Sequence, residues 1–188
     1  MQRIIKNDQL VDETWHLLPK EQTLDDLCNS DDLIVPLHLW LDHAHALKAR
    51  DGGLGVWLDA HEQVEDIADD LQYFQVIALN FPVFSDGRNY SNARLLRDRY
   101  QYQGEVRAIG DVLRDQLFFM QRCGFDAFAL RADRNADEAL ESLKDFLSTI
   151  NIKLPSSGGL RPSAFNGILA KVKDTPQANL VNEVVLRS

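Results

Sequence analysis

The stretch Leu54–Pro82, LGVWLDAHEQVEDIADDLQYFQVIALNFP, decides how the chain is read. Its two ends, LGVWL and VIAL, are continuous apolar runs of strand length, and Val64, Ile67, Ala68 and Leu71 between them recur at helical spacing. A strand that alternates apolar with polar residues has one wet face; a strand apolar throughout is buried on both faces, as in parallel sheets covered by crossover helices. Downstream the same alternation continues. Helix YSNARLLRDRY is followed by strand EVRAIGD, helix VLRDQLFFMQRCG, strand AFALRAD and helix ADEALESLKDFL. Four β–α units, about 25 residues apart, thus run from Leu54 to Leu147 and predict a parallel sheet, either open and doubly wound or a partial barrel.

Upstream, QRIIKNDQLVDETWHLL alternates around Lys6–Gln9 and predicts a β-hairpin within residues 1–20. A short extended piece, Leu33–Leu37, leads to a predicted helix over Leu39–Ala49, stopped by Gly52 and Gly53. After Ile150 the character changes. LPSSGGLRPS is linker-like, and AFNGILAKVK and NLVNEVVLRS carry too few apolar residues to fold alone. The expected organisation is one α/β domain over residues 1–150 and an irregular, linker-like extension over 151–188.

Composition narrows the function classes. At 45% hydrophobic and 26% charged residues, the 188-residue chain falls in the ordinary globular range. No apolar run approaches the roughly 20 residues that span a bilayer, and the acids in MQRIIKNDQLVDETW come too early for a signal peptide. A cytoplasmic protein with no membrane partner is expected. Cys28 and Cys123 are far apart and read as inert thiols, Cys123 buried on a helix just before Gly124.

Charge is segregated. Residues 1–75 carry 16 acids against 5 bases, an acidic front that argues against nucleic-acid binding, whereas residues 76–135 carry 9 arginines, no lysine and 7 acids. Arginine without lysine suits bidentate contact to carboxylate, phosphate or sulfur oxyanions; solvated helix faces and internal ion pairs explain it equally well.

Ligands of parallel sheets collect at the carboxyl ends of the strands. Here those ends are the loops Asp59–Glu62, Asn80–Asn89, Gly110–Asp111 and Arg131–Asn135. In the second, Ser85 or Asp86 starts a turn, Gly87 takes positive φ, and Ser91 is expected to cap the next helix and leave amides for an anion. Arg88 and Arg94 lie near that helix start and are the candidate ligand or partner contacts. Arg97 and Arg99 are expected to be exposed further along it. In GDVLRDQ, Asp111 is read as a helix cap, Arg114 follows, and Asp115 and Gln116 are expected to be half-buried, Asp115 against Arg88 or Arg114. Asp86, Asp115 and His61 are the candidate acid/base groups.

The usual enzyme fingerprints are missing. The chain has no G-x-G-x-x-G, G-x-x-x-x-G-K-[ST], G-x-S-x-G or H-E-x-x-H. The Gly52, Gly53, Gly55 cluster precedes its strand, and His43 and His45, two apart, do not share a helix face. Neither a cofactor nor a metal is expected.

The run SDGRNYSNARLLRDRYQYQGEVRAIGDVLRDQLFFMQRCGFDAFALR, residues 85–131, resembles the bacterial family called domain of unknown function 934. It matches a D-G-R-x-[YF]-[ST]-x-A-R-L-L-R block, then G-[DE]-[VIL]-R-A-x-G-D-V-L-x-D-Q and a closing R-C-G-F-D, and the likeness extends over about Leu54–Leu147. By motif, the signature falls on Asp86, Gly87, Arg88, Ala93, Arg94, Gly110, Asp111, Asp115 and Gln116. The resemblance implies a protein encoded beside the sulfite reductase haemoprotein and described as an oxidoreductase or accessory protein of assimilatory sulfite reduction. With no redox motif in the chain, the oxidoreductase label is taken to belong to that neighbour.

The first expectation is therefore a non-catalytic accessory protein that docks on the haemoprotein or its electron donor. The alternative is a small oxyanion-binding protein or enzyme, with Ser85, Gly87, Arg88, Arg94, Asp111, Arg114 and Gln116 at the site. A weaker third is a flavin- or nucleotide-binding domain. Open sheet edges would favour a homodimer.

Overall fold

The structure is a computed structural model that describes residues 3–23, 31–131 and 135–149. Cys28 and the extension over 151–188 lie outside the described residues. Eight strands form one mixed sheet. They are β1 (Arg3–Lys6), β2 (Gln9–Asp12), β3 (His16–Leu17), β4 (Leu33–Pro36), β5 (Leu54–Leu58), β6 (Val76–Phe81), β7 (Glu105–Gly110) and β8 (Ala127–Phe128). The helices are α1 (Leu37–Lys48), α2 (Arg88–Asp98), α3 (Leu117–Cys123) and α4 (Ala136–Thr149), with 3-10 helices over Val64–Tyr73 and Arg114–Gln116. Among the described residues, no helix is long and apolar enough to cross a membrane.

The strand order is β2-β1-β8-β7-β6-β5-β4-β3. From β3 to β8 neighbours are sequential and parallel, so the winding never reverses and the doubly wound alternative is not formed. The sheet is also larger than four parallel units. Leu33–Pro36 pairs in parallel with β5, and the predicted N-terminal hairpin joins the far edge through antiparallel β1–β8 pairs, Ile5 opposite Phe128 and Lys6 opposite Ala127. Those partners are over 120 residues apart, a pairing that local patterning does not reveal.

The two edge strands are joined by only Glu13, Thr14 and Trp15. A flat eight-stranded sheet would separate its edges by about 34 Å, whereas four residue steps span at most about 14 Å. The sheet must therefore curl into a half-barrel whose open side the segment 13–15 crosses.

Strand alternation then sorts the side chains. Val56, Ile77, Leu79, Val106 and Phe128 face out and form, with the helices, the main core, while Ile34, Trp57, Val76, Ala78 and Ile109 face the lumen with Trp15. On the outside, Trp40 of α1 meets Phe74 edge-on at 4.6 Å, and Phe81 packs on Tyr90 and Phe125. Cys123 is buried, and burial raises its thiol pKa.

Candidate functional site

The curl brings the carboxyl ends of the parallel strands to one mouth. After β5, Asp59 accepts Asn80 Nδ2 at 3.1 Å and the Ala60 amide at 2.9 Å, and pairs with Lys20 Nζ at 3.2 Å. Burial pushes its carboxyl up, but the Ala60 amide, Asn80 and Lys20 together outweigh this and hold it below the usual range. His61 Nδ1 lies 3.8 Å from Asp59 on an exposed ring. Below them, Asn89 donates to the Asn80 carbonyl and Asn92 to Asn89 Oδ1, a buried amide pair that fixes α2 against the end of β6.

The loop after β6 is braced from two sides. The Phe84 amide donates to Asp111 Oδ2 at 3.0 Å, Asp111 Oδ1 takes Arg131 Nη1 at 3.0 Å, and Gln116 Nε2 donates to the Phe84 carbonyl at 2.8 Å. Asp111 is positioned by Gly110, whose φ of +89° is glycine's region and whose missing Cβ leaves room for the Phe81 carbonyl. Asp86 accepts Arg88 Nε at 2.9 Å and Nη2 at 2.6 Å, and the Arg88 hydrogen bond holds its carboxyl below the usual range. Inside this frame Val83 and Phe84 stand 51% and 56% exposed.

Several sequence-based assignments change. The helix α2 begins at Arg88 after Gly87, so Ser91 lies inside it and caps nothing, and Gly87 itself has φ −89°. Asp111 braces the Phe84 amide, while Leu113 occupies the cap position of the following 3-10 turn. Asp115 and Arg114 are exposed, and Arg88 is spent on Asp86, so the expected buried Asp115–arginine pair is not formed. Arg94 points away to Asp98 in an exposed i, i+4 pair. Ser85 is exposed on the loop. The structure thus gathers Asp86, Arg88, Asp111 and Gln116 around one loop, with Gly87 and Ser85 within it, and leaves Arg94, Arg114 and Asp115 outside.

Arg97 departs furthest from expectation. It is 12% exposed and donates to the carbonyls of Tyr102, Gly104 and Gly124 and to Asp126 Oδ2 at 2.7–3.0 Å, at the amino end of the sheet. Burial raises Asp126 to about 6 despite Arg97 and the Val106 amide. In the family pattern Arg97 ends the A-R-L-L-R block and Gly124 and Asp126 belong to R-C-G-F-D, so the two blocks meet here.

The lumen holds a second constellation that sequence reasoning missed. Arg107, on β7, is 3% exposed; its Nε lies 2.5 Å from Glu105 and its Nη1 2.5 Å from Glu13 of the crossing segment, while Lys6 Nζ reaches Glu105 Oε2 at 2.7 Å. The signal was available: in E-V-R-A-I, Glu105 and Arg107 alternate onto one face of a strand otherwise apolar. Beside Arg107 a cleft of about 610 Å³ opens at the mouth. Among the described residues there is no group of three or more His, Cys, Asp or Glu placed to hold a metal.

Residues 55–154 match the family model described as bacterial protein of unknown function (DUF934), and the chain belongs to that family. No curated protein and no solved structure matches it.

Proposed function

We propose that this member of the DUF934 family is a non-catalytic accessory protein of assimilatory sulfite reduction, which docks on the sulfite reductase haemoprotein or its electron donor through the loop Pro82–Arg88. The observation that carries the docking surface is Phe84: an aromatic ring left exposed while both polar groups of its peptide are tied down by Asp111 and Gln116. Exposed apolar side chains on a fixed backbone are the anchors protein interfaces use. The haemoprotein as partner rests on the family resemblance.

Charge pairing weighs between this reading and the alternative of an oxyanion-binding protein or enzyme. At the mouth Arg88 is taken by Asp86, Arg131 by Asp111 and Arg107 by Glu13 and Glu105, so each of these cations is already neutralised. An anion would have to displace a carboxylate, whereas a docking partner finds the loop ready.

Co-expression with the haemoprotein, size-exclusion chromatography and sulfite-dependent donor oxidation test the proposal. Co-elution that is lost in Phe84→Ser, with the melting temperature unchanged, is the expected result. Separate elution of the wild-type chain with unaltered turnover refutes it. Calorimetry with sulfite, sulfate and phosphate then asks whether Arg88→Ala changes any anion affinity.

A further inference from the structure

A barrel lumen is normally filled by layers of side chains from its own strands. Here the inward positions of β6 and β8 carry Ala78, Ala127 and, just past β8, Ala129, too small to fill it. Trp15 and Trp57 occupy part of the space. What remains is the cleft of about 610 Å³, and Leu17, Leu18 and Ile109 also line a second of about 320 Å³ beside Trp57 and Asn80. Volumes of this order are those of small-molecule sites.

The lining sets apolar Trp15, Leu17, Leu18, Ile34, Ile109 and Ala129 beside Glu13, His16, Arg107 and Arg131. Of these polar groups Arg107 is the most buried, its side chain 3% exposed. Its Nε and Nη1 are used by Glu105 and Glu13, but no described residue takes Nη2, which is not sealed from the cleft. A ligand oxygen entering the cleft can take the place of water on this donor. The surroundings do not call for a negative one, because Lys6 and Arg107 are balanced by Glu105 and Glu13, and Arg131 by Asp111.

We propose that the lumen is a binding site for a small, uncharged, planar ring bearing a carbonyl oxygen, with the ring against Trp15 and Ile109 and the oxygen accepting from Arg107 Nη2. The site lies on the inner face, apart from the Phe84 loop, and neither reading depends on the other.

Three tryptophans make it testable by NMR, since each indole N–H gives one signal and Trp40 of α1 belongs to the core on the outer face. Coumarin is the probe, with 2H-chromene, the same ring system without the carbonyl, and coumarin-3-carboxylate as comparisons. Coumarin is expected to shift the Trp15 and Trp57 signals saturably and leave Trp40 in place, and chromene to bind about tenfold more weakly. Ala129→Phe, which fills the cleft from a half-exposed position, is expected to abolish the shifts without lowering the melting temperature. Unmoved Trp15 at the solubility limit of coumarin, or shifts that persist in Ala129→Phe, overturn the site. Equal affinities for coumarin and chromene overturn the role of Arg107, and tighter binding of the carboxylate overturns the uncharged class.

Discussion

Replacing Arg97 by methionine keeps an unbranched apolar stem and removes the guanidinium with its charge. The loss is worked from its four acceptors: the carbonyls of Tyr102, Gly104 and Gly124, and the Asp126 carboxylate. Hydrogen bonds to a charged group contribute about 1.5–3 kcal/mol each, and orphaning one partner of a buried ion pair costs about 3–5 kcal/mol. Water reaches this site in part, Asp126 being 28% exposed, so the bonds do not add in full and the middle of the ion-pair range, about 4 kcal/mol, is expected. With a urea slope of about 2 kcal/mol per molar, the unfolding midpoint falls by about 2 M.

The pH dependence identifies the cause. Asp126 is already raised above its unfolded value, so the folded state binds the extra proton and wild-type stability falls as pH rises through about 6. Without Arg97 that carboxyl rises further, and the mutant goes on losing stability above pH 6. The difference between the two proteins is therefore larger at pH 8 than at pH 5.5. A loss under about 1 kcal/mol, the range of a surface substitution, or the same loss at both pH values, would refute the buried-staple account.

Three further outcomes are expected. Asp126→Asn removes the titration: the wild-type carboxyl titrates near 6 when folded and near 4 when unfolded, and each pH unit between is worth about 1.4 kcal/mol, so relative to the mutant the wild type loses up to about 3 kcal/mol between about pH 4 and pH 6.5, seen as diverging urea midpoints. Gly110→Ala places a Cβ against the Phe81 carbonyl at a left-handed φ and is expected to cost about 3 kcal/mol, measured by thermal melting against Gly87→Ala, which at φ −89° costs under about 1 kcal/mol. Asp111→Ala frees the Phe84 amide and Arg131; a stability loss of about 1–2 kcal/mol is expected, with faster proteolysis between Pro82 and Arg88.

The parallel half of the fold was legible because its strands are buried on both faces, and double burial writes itself as unbroken apolar runs such as VIAL. The rest was hidden for definite reasons. Strand β8 is two residues long and β3 likewise, too short for any pattern, and β1 finds β8 across the length of the chain. Curling depends on the brevity of the link Glu13–Trp15 between opposite edges, which means nothing until the strand order is known. The strand-end loops lie together at one mouth, as parallel strands require, but the side-chain partners within it were not legible. Arg97 looked exposed because it is charged, although it follows buried Leu96 and lies one helical turn from buried Ala93, on the flank of α2 that faces α3. Arg107 escaped notice because a strand flanked by apolar residues invites the eye to treat its one cation as an edge feature.

The brace at Phe84 also bears on what the family motif is for. Asp111 and Gln116 converge on the two backbone polar groups of Phe84, Gly110 places Asp111 there, and Asp86 pairs with Arg88 at the loop's far end, so the charged signature at the mouth is paired within the protein. Within the loop Pro82–Arg88, Val83 and Phe84 are the large apolar side chains that this brace presents to solvent. A loop already held in place has less backbone entropy to lose when a partner covers the ring. On the proposed docking reading, a ring fixed beside paired arginines is an anchor that a partner can cover at little entropic cost.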